Sequence, residues 1–265
     1  KRNHLILFNL EEKTYKDLTP DDYDYPPLWG SFDVSPDGQW ICVESKQVND
    51  PASSTNNDLF LIDVKSGVKE NLTIGNPAYD GQPVFSPDGR YIAFQRQKIP
   101  GYESDLKRLA VYDLETKTTK ILSEPLNNWT DSYHWAPDAR YIYFRVHEKG
   151  HFPLYRVKLS SGKITKVADL KTIYDYTVDP QGRWIVASRS AIAQPVELVS
   201  VKIKGRAKGK KARRLTFFNK ALEDSVDIRP AKELWIPSPT GKKIHTFVIT
   251  PHNFDPNIKL SLIHI

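Results

Sequence analysis

The chain has one cysteine, Cys42, so no intramolecular disulfide can form. That excludes a disulfide-stapled scaffold and leaves the redox compartment open. Apolar runs are short as well. The longest, such as Tyr141-Ile142-Tyr143-Phe144, are strand-sized, far below the roughly 20 residues of a membrane-spanning helix. No apolar stretch follows Lys1, so no secretory leader is visible within the 265 residues. A general excess of positive charge is also lacking. The net charge of +6 is local in origin: eight basic residues lie between Lys202 and Arg214, and without them 30 basic residues face 32 acidic ones. That run contains no aromatic side chain on which bases could stack, so it reads as a solvated hairpin tip and not as a nucleic-acid site.

What the chain does have is a repeated hairpin. Phe85-Ser86-Pro87-Asp88-Gly89-Arg90-Tyr91-Ile92-Ala93-Phe94 is a strand, a tight turn and a return strand. The proline presets φ, Asp-Gly supplies the polar and positive-φ turn positions, and the aromatic and β-branched residues after it favour extended structure. The same unit recurs around Pro36, Pro137 and Pro180, giving proline intervals of 51, 50 and 43 residues. A second hairpin follows each time, as in Arg108–Leu114, a turn, then Thr119–Leu122. Four strands in a unit of about 40 to 50 residues is the mark of a β-propeller blade. A β-sandwich also gives regular short strands, but has no reason to repeat one turn in register.

Residues 5–19 match only the second half of a blade, and four and a half blades do not close a ring. Further residues are therefore expected upstream. After Thr216 the pattern changes: Ala231–Ile236, a Pro239-Thr240-Gly241 turn and Ile244–Ile249 form another hairpin, and Leu260–Ile265 starts a new apolar strand. The expected fold class is thus all-β. It comprises the second half of an incomplete blade (residues 1–28), a partial propeller of four full four-stranded blades (29–230) and the strands of a following unit (231–265).

The Ser-Pro-Asp-Gly repeats, Leu215-Thr216-Phe217-Phe218-Asn219, Gly241-Lys242-Lys243-Ile244-His245 and Pro251-His252-Asn253-Phe254-Asp255-Pro256 together resemble the prolyl oligopeptidase (S9) serine peptidases. Tyr79-Asp80-Gly81-Gln82-Pro83 and Gly101-Tyr102-Glu103-Ser104-Asp105 are similar to the dipeptidyl peptidase V and acylaminoacyl-peptidase branch. The resemblance implies that residues 231–265 open an α/β-hydrolase domain, truncated here. It also implies a periplasmic or secreted setting, short peptide substrates and no cofactor. The hydrolase nucleophile elbow, Gly-x-Ser-x-Gly, occurs nowhere in the 265 residues. The triad is expected beyond Ile265, with His264 leading into the oxyanion loop, and the chain by itself is expected to be inactive. A non-enzymatic TolB-like propeller acting as a binding scaffold is the alternative; residues 231–265 argue against it.

Tyr102, Glu103 and Asp105 are the candidate contacts for a substrate amine. Blade topology places their loop on the same face as Pro77–Asp80 and Asn127–Asp131, where a carboxylate would meet an ammonium group by a charge-assisted hydrogen bond. The competing reading is that an acid here pairs with Lys107 or Arg108 and fixes the loop. Glu11 and Glu12 fall on the opposite face. His147-Glu148-Lys149-Gly150-His151 satisfies His-Glu-x-x-His, but Gly150 and Pro153 make the required helix improbable, so no metal site is assigned.

Overall fold

The computed structural model describes residues 2–27, 30–168, 170–203 and 211–261. Four antiparallel four-stranded sheets follow one another in strict chain order, with a two-stranded sheet at each end. The first two-stranded sheet is β1 (Ile6–Asn9) with β2 (Thr14–Asp17). The first full blade is β3 (Phe32–Val34), β4 (Trp40–Ser45), β5 (Asp58–Asp63) and β6 (Lys69–Asn71). The second is β7 (Asp80–Phe85), β8 (Tyr91–Arg96), β9 (Arg108–Asp113) and β10 (Thr118–Ile121). The third is β11 (Thr130–Trp135), β12 (Tyr141–Val146), β13 (Leu154–Lys158) and β14 (Ile164–Ala168). The fourth is β15 (Thr172–Val178), β16 (Trp184–Ala191), β17 (Gln194–Lys202) and β18 (Ala212–Arg214). A short helix α1 (Lys220–Ser225) leads to the last hairpin, β19 (Lys232–Pro237) and β20 (Lys243–Val248).

The repeated turn works by side-chain chemistry. Ser35 Oγ accepts from Trp40 N at 2.9 Å and donates to Asp37 Oδ1 at 2.6 Å, while Gly38 takes φ +72°. Ser86, Asp88, Gly89 and Tyr91 repeat the arrangement in the second blade. In the fourth blade the serine is replaced by Asp179, whose carboxylate accepts from Trp184 N at 2.7 Å and from Arg183 N. A carboxylate thus takes over the hydroxyl's task of satisfying the first return-strand N–H. Asp179→Ala is expected to lower stability by about 1–2 kcal/mol and Asp179→Ser by less than half of that. Urea unfolding midpoints measure the difference, and equal losses in the two variants would contradict the capping role.

The core lies between blades. Leu5, Leu18 and Tyr25 pack on Ile41, Val43, Phe60 and Ile62. Cys42, Leu59 and Leu61 pack on Phe85, Ile92 and Phe94, and further layers join the second blade to the third and the third to the fourth. The sheets of the first three full blades therefore bury both faces, which is why β4, β8 and β12 read as near-continuous apolar runs. Hydrogen bonds between the innermost strands add to these layers. Phe85 N donates to Asp33 Oδ2 at 2.7 Å, Trp135 Nε1 to Val84 O at 3.1 Å and Tyr176 Oη to Ser132 O at 2.6 Å. Tyr133 Oη donates to Gln82 O. Both Gln82 (φ +58°) and Ser132 (φ +45°) stand inside β-bulges of β7 and β11.

The β19–β20 hairpin docks on the face that carries the crossovers between blades. Glu233 Oε1 lies 3.4 Å from His151 Nε2 and 4.0 Å from Lys171 Nζ. The Phe247 ring stands 5.8 Å from the His151 ring. It also abuts Gly150 (φ +71°), where a Cβ would come within 2.7 Å of it. Residues 204–210 of the basic run lie outside the described residues. No helix among the described residues is long and apolar enough to cross a membrane.

Candidate functional site

On the crossover face, the starts of the innermost strands of the first three blades enclose a cavity of about 620 Å³. Its polar lining includes Glu44, Asn57, Tyr79, Gln82, Lys107 and Asp131. Glu44 is only 1% exposed and follows the apolar run Trp40–Val43 in strand β4. Its Oε1 accepts from Ser31 N at 2.6 Å and Gln82 N at 3.3 Å. Its Oε2 accepts from Asn57 Nδ2 at 3.3 Å and Tyr79 Oη at 3.4 Å. Burial pushes its carboxyl up, and these donors pull it back towards the ionised form. Among the described residues Glu44 has no cationic partner.

Lys107 faces the same cavity. Its Nζ lies over two rings, 5.1 Å from the centre of Tyr79 and 5.6 Å from that of Trp129. Its main chain is pinned by Thr130, whose N and Oγ1 donate to Lys107 O at 2.9 and 3.0 Å. No carboxylate among the described residues pairs with it. The ammonium is held by quadrupoles alone, in the manner of a cation–π cage. Tyr79 therefore carries one charge at its hydroxyl and the opposite charge over its face. The other carboxylates of the cavity are engaged. Asp131 makes a forked pair with Arg145 (2.8 and 2.9 Å) and meets His147 Nε2 at 3.0 Å, and Asp33 holds Phe85 N.

Beneath this site lies a second buried group. Asp80 is fully buried, and among the described residues neither of its oxygens has a well-formed hydrogen bond, Asn76 and Thr73 offering only weak ones. Arg96 Nε is 3.6 Å from its Oδ1, with Asn76, Thr73 and Asp58 alongside. Burial, offset in part by Arg96, pushes the Asp80 carboxyl up to about 7. Asp58 is also raised by burial, against hydrogen bonds from Asn71 and Thr73.

The residues singled out by sequence divide in two. Tyr102 and Glu103 are exposed at the tip of the 98–108 loop. Asp105 is buried, and its carboxylate accepts from Lys98 N (2.6 Å), Ile99 N (3.1 Å) and Leu106 N (2.7 Å) while pairing with Arg108 at 3.2 Å. It fixes the loop that presents its two neighbours. His264 lies outside the described residues. The His147–His151 segment is a tight turn closed by mutual Glu148–His151 backbone bonds of 2.9 Å. Its two imidazoles diverge, one to Asp131 and the other to Glu233. Of the two cations offered from sequence as loop partners, Arg108 takes that role and Lys107 turns to the cavity; Glu44 was not reached from sequence, although an acid inside Trp40-Ile41-Cys42-Val43-Glu44-Ser45 is an available signal.

Solved structures share the architecture. Acylaminoacyl peptidase of Pyrococcus horikoshii aligns over 92% of this chain and 35% of its own, with a TM-score of 0.66 and 14% identity. A putative TolB of Agrobacterium tumefaciens aligns over 80% of this chain and 73% of its own, with a TM-score of 0.57 and 16% identity. No family model matches the chain. The dipeptidyl-peptidase 5 of Porphyromonas gingivalis is 34% identical over 231 residues, 86% of this chain and 33% of that protein. The chain is related to the dipeptidyl-peptidase 5 branch of the S9 peptidases. It spans about a third of the length of the dipeptidyl-peptidase 5 proteins it matches.

Proposed function

We propose that this chain is the propeller portion of a serine-type exopeptidase that releases dipeptides or acyl-amino acids from short peptides, and that the propeller limits which peptides reach the catalytic centre. In this reading residues 231–265 open the α/β-hydrolase domain, and the nucleophile, acid and base stand beyond them. The observation that carries it is the docking of the β19–β20 hairpin through Glu233 and Phe247 onto the crossover face, the face on which the Glu44–Lys107 cavity opens. A hydrolase domain continued from that hairpin would sit over the mouth of the propeller. Tyr102 and Glu103, projecting from a loop braced by Asp105, are then the rim groups for a substrate's free amine.

The test is to extend the chain along its coding sequence and assay the product. A Gly-x-Ser-x-Gly elbow about one hundred residues past Ile265 is expected, together with dipeptide release that its Ser→Ala variant abolishes. The 265-residue chain alone is expected to show none. An extended chain with neither elbow nor peptidase activity would overturn the reading. Within the active protein, Glu103→Gln is expected to raise KM for free-amine substrates about tenfold with kcat little changed. An unchanged KM would remove Glu103 from the rim.

A further inference from the structure

We propose that the axial cavity is a binding site for a free dipeptide, the zwitterionic product, with its ammonium on Glu44 and its carboxylate on Lys107. The inference rests on the peptidase reading for the presence of dipeptides, and on the cavity itself for their recognition.

Three features carry it. The first is an unmatched charge of each sign. Glu44 is a carboxylate 1% exposed whose six hydrogen-bond donors, from Ser31, Asn57, Tyr79 and Gln82, are all neutral. Four of these donors are N–H groups, which can only donate, and they favour the ionised carboxylate against the upward push of burial. Lys107 is its opposite: an ammonium lodged between two rings, with no carboxylate among the described residues. For the buried Glu44 a charge without a counter-charge is costly, and the half-buried Lys107 is open to an anionic group entering the cavity. Secondly, the two charges do not neutralise each other. No ion pair within 4.0 Å joins them, and Tyr79 touches both, its hydroxyl on Glu44 and its face under Lys107. A ligand must therefore bring two opposite charges separated by a spacer. An extended dipeptide places its termini about 7 Å apart, whereas a single amino acid holds its two charges closer together. The third feature is room: about 620 Å³, with Asn57 and Gln82 on its wall for the peptide unit.

This chemistry separates product from substrate. A longer peptide also has a free amine, but its carboxylate lies several residues away. Only after hydrolysis does a carboxylate stand one peptide unit from the ammonium. The cavity is thus complementary to what is released, while the rim residues Tyr102 and Glu103 face what arrives.

The experiment is calorimetric titration of the 265-residue chain with Ala-Phe, N-acetyl-Ala-Phe and Ala-Phe-amide, repeated on Glu44→Gln and Lys107→Met. Both variants are first checked for a native circular dichroism spectrum. The parent chain is expected to bind Ala-Phe at least about tenfold more tightly than either blocked peptide, each block removing one charge-assisted contact. Glu44→Gln is expected to abolish the discrimination against the acetylated peptide and keep that against the amide. Lys107→Met is expected to do the reverse. Should Glu44→Gln fail to fold, Lys107→Met and the three ligands on the parent chain decide the matter. Binding of all three peptides alike, or variants that keep both discriminations, overturns the product site and leaves the peptidase reading standing. Binding of none of the peptides overturns the product site, and the extended-chain assay then tells separately whether the peptidase reading survives.

Discussion

At pH 8, Asp80→Asn is expected to be more stable than the parent chain by up to about 4 kcal/mol, and at pH 4 by almost nothing. The reason is burial without strong partners. Asp80 is fully enclosed, accepts no well-formed hydrogen bond, and shares its single nearby guanidinium, Arg96, with Asp58. In the unfolded chain its carboxyl ionises near 3.8, and in the folded chain near 7. Between those values the folded state holds a proton that the unfolded state has lost. Stability therefore falls as pH rises from about 4 to about 7, and the full penalty applies above that range. An asparagine has the same shape and no charge to desolvate, and its amide can donate to the oxygens of Thr73 and Asn76. Urea denaturation of both chains at pH 4.5 and pH 8 measures the effect. A difference between the two chains that does not change with pH would refute it.

Gly81→Ala is expected to have the next largest effect, in the opposite direction. A Cβ at residue 81 would lie 2.2 Å from Tyr79 Oη and 2.5 Å from Glu44 Oε2, far inside contact distance. Tyr79 cannot swing aside freely, since Lys107 covers its face and Glu44 holds its hydroxyl. The methyl group must therefore displace the cavity's own charged groups. A loss of about 2–3 kcal/mol is expected, along with the loss of Ala-Phe binding even where the variant remains folded. A Gly81→Ala chain with parental stability and parental dipeptide affinity would show that the close approach is relieved at no cost. The glycine of Tyr79-Asp80-Gly81-Gln82-Pro83 is thus a matter of space at the site, because it is not one of the positive-φ glycines.

The turns were readable because their chemistry is local. Ser35, Asp37 and Gly38 act within one hairpin, so spacing along the chain was enough to place four blades. Asp179 shows the limit of that local reading, since its exchange for serine preserves the bond while changing the letters. The cavity was not readable for a different reason. Glu44, Tyr79, Lys107 and Trp129 come from the first blade, two crossovers and a loop, and only the ring of blades brings them together. Glu103 and Asp105 look equivalent in sequence, yet one is solvated and the other is sealed under Arg108. Burial, set by the tertiary fold, decides which acid is free. Trp184 illustrates the same point: it opens the return strand of its hairpin as Trp40 does, yet it is 41% exposed beneath Lys202.

The bulges at Gln82 and Ser132 have a consequence for how this mouth can change. Each inserts one extra residue, so Gly81 and Val84 oppose Gln95 and Ala93, and Asp131 and His134 oppose Arg145 and Tyr143. The extra residue reverses the phase of in-and-out alternation halfway along the strand. The deep half, which interlocks with the next blade through Phe85 and Trp135, is thereby uncoupled from the half that carries the mouth. A substitution at Gln82 or Ser132 can change the mouth without forcing the interlocking half out of register. A single deletion at Gln82 or Ser132 would instead turn every mouth-side residue of that strand to the opposite face. The bulge works as a mechanical clutch, separating a fixed gear train from an adjustable dial.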